Sequence, residues 1–228
     1  MKDPIYEPKG KAKEYGDLAL NIYTGCPHRC FYCFAPSVLH RDKEIFHSVV
    51  EPRPGIMEAV KKQLDKGEIT NKLIHLCFTC DPYPTGHDTS VTREIIKLLK
   101  EYGNHVQILT KGNGSRDFDL LDKNDWYGIT LDGGEDPDTA VLRLSTLRYS
   151  GLNANTWVSF EPVLDARRTL SYIALTKNFF VGKVKIGKLN YYQSDINWKE
   201  FGREAEALCQ RLGLDYYIKD SLRKEMSK

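Results

Sequence analysis

Three cysteines stand within one short run, Gly25-Cys26-Pro27-His28-Arg29-Cys30-Phe31-Tyr32-Cys33, directly after an apolar segment of strand character. The Cys-x3-Cys-x2-Cys spacing puts three thiolates on a single loop and supplies no fourth. Ferredoxin-type iron–sulfur clusters are held by four cysteines, so three leave one iron of a cubane [4Fe-4S] cluster without a protein ligand. A coordination position left open by the protein marks a catalytic metal site rather than a structural one.

Other uses of these thiols fit less well. Cys30-x2-Cys33 and Cys77-x2-Cys80 read together as two halves of a four-thiolate zinc site. Zinc ribbons place such pairs about 15 to 20 residues apart, whereas a helix-length segment and a strand separate these, and Cys26 is left over. A disulfide framework suits small secreted domains, and 228 residues can bury a core without staples. On the residues alone, two rivals to an enzyme stay open. One is a nucleic-acid-binding module with structural zinc, and the other is a plain iron–sulfur electron-transfer protein.

Composition sets the class. With 41% hydrophobic and 28% charged residues, the chain is that of a globular domain. No apolar run approaches the roughly 20 residues of a membrane span, and the N-terminal residues lack the apolar stretch of a signal peptide, so a cytoplasmic protein without membrane contact is expected. In a reducing compartment, 6 cysteines read as metal ligands or chemistry. A net charge of +2 neither demands nor excludes DNA as a partner. Lys9, Lys11, Lys13 and the tail residues Lys219, Arg223, Lys224 and Lys228 read as solvated ends.

Strand and helix patterns alternate, which points to an α/β chain with a parallel sheet. Strands are expected at 18–23, 73–78, 106–110, 127–131, 156–160 and 184–186, with a short last strand or extended tail at 216–219. Helices are expected at 56–66, 92–102, 138–150, 170–178 and 201–212, with a helical turn at 118–122. Six βα repeats with right-handed crossovers curl into a partial (β/α)6 barrel of TIM type. One domain over 1–228 is expected, with a core of about 18–190 and a C-terminal helix and tail at 199–228. The longest stretch without periodicity, 35–53, follows the cysteines and reads as cover over a cofactor or substrate, although a short helix at 36–40 fits as well.

Chemistry in such barrels sits at the C-terminal ends of the strands. Polar residues occupy those ends: the three cysteines, then Asp81, Lys111, Thr130, Glu161 and Lys188. Asp81 also reads as a turn cap before Pro82, and Lys111 as a snorkelling strand-end lysine. Alternation along 157–161 puts Trp157, Ser159 and Glu161 on one face, and Lys185 interrupts an apolar strand. Glu161 and Lys185 are therefore expected inside the barrel, as an ion pair or as a substrate bed. His28 and Arg29 read as exposed loop residues. Cys77 and Cys80 fall on opposite faces if their strand continues through both.

The cysteine run, with an aromatic residue before its last cysteine, resembles the signature of the radical S-adenosylmethionine (AdoMet) superfamily. Thr79-Cys80-Asp81-Pro82-Tyr83-Pro84 and Thr110-Lys111 resemble its spore photoproduct lyase branch over roughly 19–187. The resemblance implies a [4Fe-4S] cluster on Cys26, Cys30 and Cys33 whose open iron chelates AdoMet. It implies an AdoMet amino group on Asp81, its carboxylate on Lys111, the ribose or adjacent atoms at Thr130 and the adenine beside Tyr32, a ring that also reads as a plug of the barrel floor. It implies reductive cleavage of AdoMet to a 5′-deoxyadenosyl radical, with Cys80 or Cys77 returning a hydrogen atom. It also implies an external one-electron reductant of flavodoxin or ferredoxin type, and a nucleic-acid or nucleotide lesion as candidate substrate. Few residues precede Cys26, so the N-terminal portion of the lesion-repairing lyases is expected to be missing.

Overall fold

Apolar runs bounded by turn residues become strands, and apolar residues at three- and four-residue spacing become the buried faces of helices. A computed structural model of the chain describes residues 3–149 and 151–228. The chain forms two compact units, Met1–Trp126 and Tyr127–Lys228.

In the first unit, strands β1 (Ile5–Tyr6), β2 (Leu18–Leu20), β3 (Leu73–Leu76) and β4 (His105–Thr110) follow one another in sheet order. β1 is antiparallel to β2, whereas β2, β3 and β4 are parallel, with Leu18 opposite Ile74 and Ile74 opposite Val106. Helices α1 (Ala35–Val38), α2 (Lys43–Ser48), α3 (Ile56–Leu64) and α4 (Ser90–Glu101) lie between the strands in the chain, with short 3-10 turns at Gly10–Glu14 and Ser115–Leu120. α4 buries Thr92, Ile95, Ile96, Leu98 and Leu99, one stripe at helical spacing.

β5 (Trp126–Thr130) enters the second unit at Tyr127, where β6 (Asn155–Val163), β7 (Lys183–Lys188) and β8 (Asp215–Ile218) again follow chain order, and β6, β7 and β8 are parallel. Helices α5 (Pro137–Thr146), α6 (Ala166–Thr176), α7 (Trp198–Leu212) and α8 (Asp220–Met226) alternate with them. Each of the first three starts on a side-chain cap: Asp136 accepts the Thr139 N–H, Asp165 that of Arg168, and Asn197 that of Glu200. Such caps satisfy N–H groups that a helix start leaves without partners. The alternating, mainly parallel strands are those of the expected α/β fold, consistent with a partial TIM-type barrel.

The differences from expectation have local causes. β2 stops at Leu20 because Asn21 turns its side chain to the loop after β3, accepting the Phe78 and Thr79 N–H groups at 2.8 and 2.9 Å. β3 stops at Leu76 because Cys77 adopts a left-handed φ of 71°. β6 runs on to Val163, so Glu161 lies within it rather than after it. The helix expected at 138–150 ends at Thr146, and Ser150 lies outside the described residues. The stretch 35–53 contains α1 and α2, both too short to show a period. β1 and α8 were not expected. Among the described residues no helix is long and apolar enough to cross a membrane.

Trp157 is 1% exposed and lies over Gly128, where an added Cβ would stand 2.2 Å from the indole Nε1. A methyl group there has to displace the largest side chain of this core. Gly128→Ala is therefore expected to lower stability by about 1–3 kcal/mol, read as a lower urea midpoint with unchanged slope.

Candidate functional site

The cysteine loop leaves β2 and is strapped to the segment that follows it. Thr24 N–H donates to the Glu51 carbonyl at 2.8 Å, Cys26 N–H to the Phe46 carbonyl at 3.2 Å, and the Arg41 guanidinium to the Thr24 carbonyl. His47 Nδ1 lies 2.7 Å from the Cys26 carbonyl oxygen. Gly25 is pressed into this seam: a Cβ there would stand 2.3 Å from both the Phe46 and the Val49 carbonyl oxygens. The stretch read as cover serves as scaffold beneath the first cysteine.

Cys26, Cys30 and Cys33 are all half-buried and none is in a disulfide. Burial, with the Asp81 charge behind it, pushes the Cys26 thiol well above the ordinary cysteine range, and burial raises Cys33 as well. Metal binding therefore has to release these protons. The three sulfurs do not gather within 4.8 Å of one another, and neither do those of Cys30, Cys33, Cys77 and Cys80. A single zinc ion holds its thiolates tetrahedrally at about 2.3 Å, so sulfurs sharing one ion stand within 4.8 Å of one another. The described residues that do gather three ligand atoms are His105, Asp122 and Asp125, and Lys100 Nζ already occupies both carboxylates, at 2.8 and 2.5 Å.

Asp81 ties this loop to the strand ends. Its Oδ1 accepts the Tyr83 N–H at 2.8 Å and the Thr110 hydroxyl at 2.5 Å, and its Oδ2 accepts the Lys111 N–H at 2.8 Å. His28 Nε2 lies 3.1 Å from the same Oδ2, a close contact that is not aligned as a hydrogen bond. Burial opposes the charge on Asp81, but His28, Thr110 and the Lys111 N–H outweigh it and hold the carboxyl below its usual range. His28 is 12% exposed and faces inward, which corrects its reading as an exposed residue, whereas Arg29 is exposed and pairs with Glu44 at 2.7 Å. Lys111 Nζ reaches back to the loop, donating to the Tyr32 hydroxyl at 2.7 Å. Two residues from between the cysteines, His28 and Tyr32, therefore touch the two expected AdoMet ligands.

Cys77 and Cys80 are not on opposite faces. The strand ends before them, and the two thiols lie near enough to shift each other's ionisation, with the Cys80 sulfur accepting the Tyr23 N–H at 3.4 Å. Burial drives Cys77 up. Burial also opposes ionisation of Cys80, but the Cys77 thiol, the Tyr23 N–H and the Arg53 charge bring it below its usual value.

The remaining expected residues belong to the second unit. Thr130 ends β5 and is half-buried. Lys185 is buried beside Ser159 in the β6–β7 register, its Nζ 5.2 Å from the centre of the Trp157 ring. Glu161 accepts a 2.6 Å bond from Lys219, whose side chain is 2% exposed. Reading Lys219 as a solvated tail residue was wrong, because β8 carries it inward. Lys188 pairs with Glu225 at 2.6 Å. Lys219, His28 and His47 were missed because a lone basic residue in a loop or tail has no period. Only the spacing of Lys219 after the apolar run 216–218 could have hinted at a strand end.

The model of the Radical SAM superfamily matches residues 20–169. No curated protein matches the chain in sequence. Among solved structures, it is similar to a point variant of spore photoproduct lyase, with TM-score 0.69 and 12% identity over 93% of this chain and 79% of that one. Spore photoproduct lyase complexed with dinucleoside spore photoproduct matches at TM-score 0.66, 12% identity, and 93% and 79% coverage. A double variant with bound AdoMet and dinucleoside spore photoproduct matches at TM-score 0.59, 14% identity, and 91% and 65% coverage. At such identity the likeness establishes the fold.

Removing one partner of a buried ion pair strands the other. Lys219→Ala is expected to destabilise the protein by about 3–5 kcal/mol. Lys219→Met combined with Glu161→Gln should lose less than Lys219→Ala alone, and chemical unfolding of the three proteins checks this.

Proposed function

The chain belongs to the Radical SAM superfamily and is therefore an enzyme that uses AdoMet and an iron–sulfur cluster, and on that premise we propose how its own residues divide the work. Cys26, Cys30 and Cys33 hold a [4Fe-4S] cluster with one iron open to AdoMet. With both bound, the chemistry supplied is reductive cleavage of the S–C5′ bond to a 5′-deoxyadenosyl radical, which takes a hydrogen atom from the substrate.

The observation that carries this reading is the meeting of the cysteine loop with Asp81 and Lys111 through His28 and Tyr32. Asp81 receives the N–H of the AdoMet amino group at the position of its His28 contact, the one of its four that is not an aligned hydrogen bond. Lys111 offers a cation for the carboxylate, and such charge-assisted bonds are the strong ones. Tyr32, held by Lys111, presents an aromatic face for the adenine. Thr130 serves the ribose, and Glu161 and Lys185 form the substrate bed. One of the two neighbouring thiols, Cys80 or Cys77, returns a hydrogen atom from its S–H bond to the product radical and is left as a thiyl radical.

For the substrate we propose a nucleic-acid or nucleotide lesion, in keeping with a fold shared with a lyase that has been solved with a dinucleoside photoproduct. A flavodoxin- or ferredoxin-type protein supplies the electron.

Cys26→Ala, Cys30→Ala and Cys33→Ala are each expected to abolish iron binding and the absorption near 400 nm after anaerobic reconstitution. Cys209→Ala, a buried thiol of α7, should keep both. Full iron content in any of the first three would sink the cluster assignment. Lys111→Ala removes a bond to a charged group worth roughly 1.5–3 kcal/mol, so AdoMet affinity measured calorimetrically should fall by about tenfold to 150-fold. An unchanged affinity would remove Lys111 from the site.

A further inference from the structure

Both main-chain polar groups of Cys26 are taken by consecutive residues of α2. Its N–H goes to the Phe46 carbonyl at 3.2 Å, and its carbonyl faces His47 Nδ1 at 2.7 Å. A carbonyl can only accept, so Nδ1 carries the proton and donates. His47 is 4% exposed, its ring edge-on to Phe46 with centroids 5.1 Å apart. Its other ring nitrogen, Nε2, is buried without a hydrogen-bond partner among the described residues. A buried polar atom left in that state is costly. A phenyl ring would fill the same space without that cost, so packing does not account for a histidine here; the Nδ1 bond does. Cys33 is held differently, its N–H bonding back to Cys30 within the loop at 3.0 Å.

We propose that His47 is a positioning residue for the first cluster-ligating cysteine: its Nδ1–H, given to the Cys26 carbonyl, fixes the backbone from which Cys26 presents its sulfur to the incoming cluster. The inference rests on the cluster reading above. The grip acts before any metal arrives, because every bond in it is between protein groups. Gly25, seated on the Phe46 and Val49 carbonyls, denies the loop any sideways movement at the preceding residue. Cys26 is thereby set by the fold, and Cys30 and Cys33 close onto a cluster that it has anchored.

The test compares His47→Asn, His47→Gln and His47→Phe in the full chain. An asparagine amide nitrogen lies about where Nδ1 does, a glutamine amide nitrogen about where Nε2 does, and phenylalanine keeps the shape alone. Two quantities are read: hydrogen exchange of the amides of residues 24–26 in cluster-free protein, and iron per chain with the electron paramagnetic resonance of the reduced cluster after reconstitution. His47→Phe and His47→Gln should speed exchange at least tenfold and load less than half the wild-type iron, with an altered signal. His47→Asn should restore both. Wild-type exchange and iron in His47→Phe would overturn the proposal, as would a His47→Asn protein as defective as His47→Phe, or faster exchange with undiminished iron. If His47→Phe does not fold, the contrast between Asn and Gln carries the same decision. Should the wild-type protein take up no iron that depends on Cys26, the cluster reading fails and this proposal falls with it, while the exchange data still report whether His47 holds the loop.

Discussion

A buried carboxylate organises the first unit. Asp81 is 7% exposed, and its two oxygens are met by the Tyr83 N–H, the Thr110 hydroxyl, the Lys111 N–H and the His28 ring. These partners come from the turn after β3, from the end of β4 and from the cysteine loop after β2. A charge taken out of water is costly unless it is hydrogen-bonded or paired, so drawing these three segments apart would expose it. The same carboxylate fixes Lys111 through its backbone and leaves the ammonium end to meet Tyr32.

The turn that presents Asp81 is itself anchored. Tyr23 shares a hydrogen bond with Thr92, whose hydroxyl donates to the Pro82 carbonyl at 2.6 Å. Tyr83 donates to Asp117 at 3.1 Å, and Asp117, wholly buried, is clamped by Arg93 and Arg116. Asp81-Pro82-Tyr83-Pro84 is thus a structural corner as well as a candidate ligand segment. The reading of Asp81 as a turn cap holds, its Oδ1 accepting the Tyr83 N–H, and a residue that orients a ligand is best fixed by the fold in this way.

Buried charge recurs in the second unit. Lys219 enters the interior at the end of β8 and pairs with Glu161, while Lys185 lies over Trp157. In a strand the side chains alternate, so a lysine between Val184 and Ile186 can only point to the opposite face from its neighbours. Here both faces of the sheet are buried, and the lysine is accommodated by an aromatic ring.

The order of strands and helices, and the three-thiolate loop, were legible in the chain because each rests on a local rule: side-chain period, helix-stop residues and ligand spacing. Asp81, Lys111, Glu161 and Lys185 were legible as polar residues at strand ends or within apolar strands. The depth of Lys219, the inward turn of His28, the meeting of the Cys77 and Cys80 thiols and the grip of His47 on Cys26 were not. Each depends on a partner far off in sequence or on one backbone angle, such as the φ of 71° at Cys77 that ends β3 two residues early. Periodicity and spacing are properties of neighbours along the chain, so the sequence by itself determined the alternating order of the longer strands and helices and the placing of polar residues at their ends, but not the short elements β1, α1, α2 and α8. Which of those residues meet, and which basic residues are buried, was decided only when the tertiary structure brought distant donors to buried carboxylates and carbonyls that must be satisfied.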